Sequence, residues 1–222
     1  MKKAAFFIAV VGLFLTTAVF QCEVSAQALK ENPELDKKVE SFLAEQSGEW
    51  YDMNVPTRDG KLLYDLIIKG NYKSALEIGT STGHSGIYIA WALSKTGGKL
   101  ITIDIDEARH KTAVENFQKA GLDKYIDARL ADAHTLVKKL EGPFDFVFSD
   151  ADKNWYKKYF DDVHPKLLIG GCFTTHNIQE SSSGSRGGWN QEYLNYVRSL
   201  ENYESTLNSD GGGVLISYKR AE

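Results

Sequence analysis

The sequence predicts a doubly wound α/β protein: a mostly parallel, seven-stranded sheet with helices on both faces, N-terminal helices ahead of it and an antiparallel C-terminal hairpin. Three observations predict it. From residue 32 onward, short apolar runs alternate with helical periods. No internal repeat or linker divides that alternation. Polar residues gather just after the apolar runs, where parallel sheets bind their ligands.

The elements follow in order. Residues 33–46 and 57–68 place apolar side chains at helical spacing, joined by Trp50-Tyr51-Asp52-Met53-Asn54-Val55-Pro56. Strand-like runs come at 74–78, 100–105, 125–130, 144–148 and 168–174, separated by helical segments at 85–94, 107–120, 133–140 and 155–164. A last helix at 189–200 precedes two strand-like runs, 203–207 and 214–218. The Asn208-Ser209-Asp210-Gly211-Gly212-Gly213 join between them predicts the hairpin.

Ahead of this unit, Lys2 and Lys3 precede an apolar run from 4 to 20 that leads to Val24-Ser25-Ala26, a small-residue cleavage pattern. Residues 1–26 therefore read as a signal peptide and 27–222 as one domain, exported to a periplasm or the outside and not inserted in a membrane once the signal is removed. Uncleaved, the same run would serve as a membrane anchor. Cleavage removes Cys22 and leaves Cys172 as the sole cysteine, which excludes an internal disulfide. Cys172 lies in the apolar run Gly170-Gly171-Cys172-Phe173 and reads as packing.

The 222 residues are 42% hydrophobic and 25% charged with a formal net charge of −4, the balance of an ordinary soluble globular protein. No basic excess is present to neutralise a phosphate backbone, so no nucleic-acid partner is expected. Small ligands are.

Five strand ends carry the candidate site: Glu77-Ile78-Gly79, Asp104, Asp132, Ser149-Asp150-Ala151-Asp152 and Thr175-His176-Asn177. The first turn, Glu77 to Gly86, has glycines at 79, 83 and 86, which satisfy neither G-x-G-x-x-G nor a phosphate-binding loop ending in Lys. A nicotinamide oxidoreductase is thereby nearly excluded. A carboxylate before Gly79 would repel pyrophosphate and suits a ligand with an amino group. Asp104, 25 residues after Gly79, stands where a carboxylate accepts ribose hydroxyls. Asp132-Ala133 can frame an adenine. Ribose, adenine and an amino-acid tail together describe S-adenosylmethionine.

These residues resemble the metal-dependent small-molecule O-methyltransferases with the Rossmann-like methyltransferase fold, such as catechol and caffeoyl-CoA O-methyltransferases. The likeness runs over about residues 53–219. It is carried by Met53-Asn54-Val55 with Asp59-Gly60, by Ala75-Leu76-Glu77-Ile78-Gly79-Thr80-Ser81-Thr82-Gly83-His84-Ser85, by Ile101-Thr102-Ile103-Asp104, by Asp132-Ala133, and most specifically by Phe144-Asp145-Phe146-Val147-Phe148-Ser149-Asp150-Ala151-Asp152-Lys153. The resemblance implies Met53, Val55, Glu77, Gly79, Ser85, Asp104, Ala133 and Asp150 around the methyl donor. It also implies a divalent metal on Asp150, His176 and Asn177, and Lys153 as general base. His176 departs from the pattern, standing where relatives carry a second carboxylate. One carboxylate, one amide and one imidazole weaken Mg²⁺ and favour Mn²⁺ or another transition metal. A metal-free arrangement with His176 as base is the alternative.

Residues 179–188, rich in Ser and Gly, read as a loop over the acceptor. Trp50, Tyr51, Trp155, Tyr156 and Trp189 are candidates for its walls. His84, His110, His134 and His164 read as structural or exposed. The helices before Met53 offer a homodimer face, as in bacterial relatives. The expected activity is methylation of a hydroxyl on a small, catechol-like acceptor. Two alternatives stand beside it: methylation of a hydroxylated tRNA nucleoside, and a non-catalytic binder of S-adenosylmethionine or another nucleoside.

Overall fold

The computed structural model describes residues 28–51, 53–180 and 189–222, the last without the side chain of Trp189. The signal-peptide reading and the loop at 181–188 therefore fall outside the described residues.

Local sequence sets the element ends. Asn32 caps α1 (Pro33–Glu45) by accepting the Leu35 amide at 3.2 Å, and Pro33 occupies a first-turn position that needs no amide partner. α2 (Thr57–Gly70) stops at Asn71, whose left-handed backbone (φ 50°) a short amide side chain tolerates. Asp106 caps α4 (Glu107–Ala120) through the Arg109 amide, and Asp132 caps α5 (Ala133–Lys139) through the His134 amide.

Five strands pair in parallel: β1 (Ser74–Ile78), β2 (Lys99–Asp104), β3 (Ile126–Leu130), β4 (Phe144–Ser149) and β5 (Leu167–His176). β7 (Val214–Lys219) inserts antiparallel between β5 and β6 (Tyr203–Asn208), giving the order 3-2-1-4-5-7-6. α3 (His84–Thr96), α6 (Tyr156–Val163) and α7 (Trp189–Arg198) complete the set. The predicted fold class is the observed one.

Strand alternation sends successive side chains to opposite layers. Leu76, Ile78, Val147, Phe173 and Leu215 pack on α5, α6 and α7 through Val137, Tyr159, Phe160 and Leu194. Ala75, Leu100, Phe146, Phe148 and Cys172 pack the other way, on Leu63, Ile67, Ile89 and Leu93 of α2 and α3. Each fully buried Leu, Ile or Phe contributes about 2–3 kcal/mol, so these two layers dominate stability. Cys172 is fully buried, as its apolar setting suggested. α1 covers a third cluster, with Val39 and Phe42 on Ile87 and Phe117. No helix among the described residues is long and apolar enough to cross a membrane.

One difference from the sequence reading, and one feature of the predicted topology, bear on the site. β5 runs two residues past the expected end at 174, because its pairing with β7 continues to His176 opposite Val214. β1 is flanked by β2 on one side and β4 on the other, so the chain reverses direction of progress across the sheet there, and the carboxyl ends of β1 and β4 bound a crevice.

Candidate active site

A cavity of about 450 Å³ opens at that crevice. Its floor is the β1–α3 loop, where Gly79 (φ +101°) comes so close to the β4 end that a Cβ would lie 2.9 Å from the carbonyl of Asp150. Only glycine allows that approach. Asp104, at the end of β2, accepts the Ser81 amide at 2.7 Å and the Asp106 amide at 2.9 Å, which fixes its carboxylate at the cavity edge. Asp132 is held by the His134 amide at 2.8 Å.

The segment before α2 straps the opening. His84 holds the Val55 carbonyl at 2.8 Å and stacks on Trp50 with ring centroids 4.4 Å apart, while Asn54 donates to Thr82 at 2.7 Å. Met53, with a left-handed backbone (φ 62°), is 71% exposed at the rim.

Of the residues expected around a methyl donor, Met53, Val55, Gly79 and Ser85 line the cavity, as do Asp104, Asp132, Ala133 and Asp150. Glu77 does not. Alternation along β1 turns it away from Leu76 and Ile78 and under the loop, where it is fully buried and accepts from Thr102. Burial pushes its carboxyl up to about 8 against the hydrogen bonds of Ser85 and Thr102, with Asp150 and Asp104 adding to the rise. It stands behind the wall rather than at its surface, in a setting whose burial favours the protonated acid. His134 also departs from expectation, since it lines the cavity and stacks on Trp155 with centroids 3.6 Å apart. Its place directly after Asp132-Ala133 at a helix start was the available signal.

Asp150 is the junction between this cavity and a polar cluster outside its lining. Lys153 Nζ lies 3.4 Å from Asp150 Oδ1 and donates to Asn177 Oδ1 in a short contact. The hydroxyl of Tyr156 is also 3.4 Å from Asp150 Oδ1. His176 bridges two carboxylates: Nδ1 is 3.1 Å from Asp150 Oδ2, and Nε2 is 2.9 Å from Asp59 Oδ2. Burial would push this imidazole down, but the hydrogen bonds to Asp150 and Asp59 outweigh it and hold the ring up at about 9.

Asp59, 1% exposed on α2, carried no role in the sequence reading, because its partners are 117 and 153 residues away. The structure thus brings Asp150, Lys153, His176 and Asn177 together, but each of the three expected metal donors is engaged by protein groups. Both His176 nitrogens and the Asn177 side-chain oxygen are taken by protein groups. Among the described residues no cluster of three or more His, Cys, Asp or Glu side chains is disposed to hold a metal.

The O-methyltransferase family model matches residues 23–183. The chain belongs to the O-methyltransferase family. Its curated relatives include a flavonoid 3',5'-methyltransferase of Vitis vinifera, 28% identical over 84% of this chain and 81% of the relative. A caffeoyl-CoA O-methyltransferase of Populus kitakamiensis is 29% identical over 78% of this chain and 75% of its own length. Among solved structures, an O-methyltransferase from Bacillus cereus in complex with SAH superposes with a TM-score of 0.68 at 23% identity, covering 86% of this chain and 92% of that one, a likeness of fold.

Proposed function

We propose that this O-methyltransferase moves the methyl group of S-adenosylmethionine to a hydroxyl of a small phenolic, catechol-like acceptor. The observation that carries the reading is the arrangement on the two sides of Asp150: a nucleoside-sized cavity on one, and Lys153 with Asn177 on the other. The Bacillus cereus neighbour was solved with the spent donor, and the named relatives methylate phenolic compounds, which supports both halves.

The cavity residues fit such a donor. Asp104 has acceptor lone pairs beyond the two amides it already holds and suits a ribose diol; Asp132, Ala133 and His134 form a partly apolar wall for a flat base. When bound, the donor supplies an electrophilic methyl on a positively charged sulfur. The acceptor oxygen forms a bond to that carbon as the carbon–sulfur bond breaks, with the electron pair leaving on sulfur. The chain's work is to align the oxygen in line with that bond and to remove its proton. We assign that proton to Lys153 Nζ, which neighbours Asp150 and Asn177. No step of this reading passes through a metal.

Calorimetric titration with S-adenosylhomocysteine tests the donor half, with micromolar binding expected. Absence of binding by folded protein would overturn it. Turnover of catechol or a caffeoyl ester tests the acceptor half, and binding without turnover of any phenol would leave a nucleoside-binding protein. The export reading of residues 1–26 is a proposal from sequence, tested by whether the exported protein begins at Gln27.

A further inference from the structure

The family resemblance places a metal where this structure places a closed network of side chains. A nitrogen can ligate a cation only through a lone pair directed at it. Each nitrogen of His176 instead faces a carboxylate oxygen, Asp150 Oδ2 at 3.1 Å and Asp59 Oδ2 at 2.9 Å. The ring is 5% exposed, and Asp59 is 1% exposed. Neither can swing outward without repacking its surroundings. The remaining donors are engaged as well, with Asn177 Oδ1 and Asp150 Oδ1 both facing Lys153 Nζ.

The bridge is also built into the backbone around it. The Gly212 amide donates to Asp59 Oδ2 at 2.8 Å, and a Cβ on Gly212 would lie 2.3 Å from His176 Nε2. The turn between β6 and β7 thus closes on the far side of the imidazole, where a side chain would drive the ring off Asp59. Three segments far apart in sequence converge to hold this one ring between two carboxylates.

We propose that methyl transfer by this chain is independent of a divalent cation, because the buried Asp59–His176–Asp150 bridge occupies the metal-binding position and itself fixes Asp150. The proposal rests on the methyl-transfer reading for its activity arm alone. Substituting His176→Asp would restore a carboxylate with free lone pairs beside Asp150 and Asn177, which is a donor set for a hard or borderline cation.

The test is equilibrium titration of the purified, chelator-stripped protein with Mn²⁺, paired with thermal melting with and without Mn²⁺, for wild type and His176→Asp. Wild type is expected to show no saturable Mn²⁺ site and an unchanged melting temperature. His176→Asp is expected to gain a saturable site and to melt higher with the ion, because three clustered carboxylates repel until a cation joins them. Saturable Mn²⁺ binding by wild type that disappears in Asp150→Asn overturns the proposal, and this arm stands even if His176→Asp does not fold. A folded His176→Asp variant that binds no Mn²⁺ overturns the assignment to His176. Catechol methylation by wild type is expected to stay within twofold after chelation, and a loss reversed by Mg²⁺ or Mn²⁺ overturns metal independence. If no phenol turns over, the methyl-transfer reading fails while the Mn²⁺ titration still decides the bridge.

Discussion

Lys153 and Glu77 show how position decides what a charged side chain does. Lys153→Ala and Lys153→Arg are both expected to lower kcat by about 10²–10⁴-fold, the range of a lost general base, because Arg keeps the charge but cannot give up its proton. Donor affinity should stay within twofold, since Lys153 is outside the cavity lining; single-turnover methylation and calorimetry separate the two. Glu77 acts on stability. Its folded carboxyl titrates near 8, above the ordinary carboxylate value of the unfolded chain. The folded state therefore keeps a proton that the unfolded state sheds, and this contribution is full below about pH 4.5 and lost as pH rises through about 8. Relative to Glu77→Gln, wild type should lose on the order of 5 kcal/mol of stability across that window, read from denaturant midpoints at several pH values. Gly79, Asp104 and Asp150 were legible as site residues because each closes an apolar strand run at the ligand edge. Glu77 lies behind the cavity wall because its place two residues before Gly79 leaves it inside the alternation of β1. Asp59 was legible only as part of the family resemblance, and its pairing was not, because nothing near it in sequence marks a helix residue as the partner of a histidine 117 positions on.

Among the elements, the contact between the end of β1 and the end of β4 sets the floor of the site. Gly79→Ala would force a Cβ onto the Asp150 carbonyl from a backbone with φ +101°. Strain of this kind costs about 1–3 kcal/mol. The expected outcome is a lower melting temperature together with weaker S-adenosylhomocysteine binding, both from displacement of the β4 end. The strap before α2 makes a separate contribution. Asn54→Ala removes its tie to Thr82 without opening the core, so donor affinity should fall about tenfold with little change in melting temperature. Strand and helix boundaries were readable within two or three residues wherever Asp or Asn caps or glycine stops were present, as at Asp106 and Gly121 around α4. The end of β5 lies two residues beyond the expected one, because His176 joins the strand through a partner, β7, that lies about forty residues later.

For the whole molecule, the sheet order brings the donor cavity and the Asp150 cluster to one edge while the two apolar layers lie below. A ligand held there binds the folded state alone. S-adenosylhomocysteine at a hundredfold excess over its Kd should add about 2.7 kcal/mol and raise the melting temperature by about 5–10 °C, readable by differential scanning calorimetry. The parallel, doubly wound plan was legible because its pattern repeats with every strand and helix. The insertion of β7 between β5 and β6 was not, since a hairpin pattern does not say which of its arms meets the sheet.

That insertion sets the order in which the molecule can be assembled during synthesis. Until residues 214–219 have been made and folded back past β6, β5 presents an unpaired edge, and its last residue, His176, has no Gly212 turn closing over it. A growing chain can therefore lay down the parallel strands and both helical layers while its chemistry is still unbuilt. The closure over His176 is finished last, by a strand that inserts between β5 and the edge strand β6.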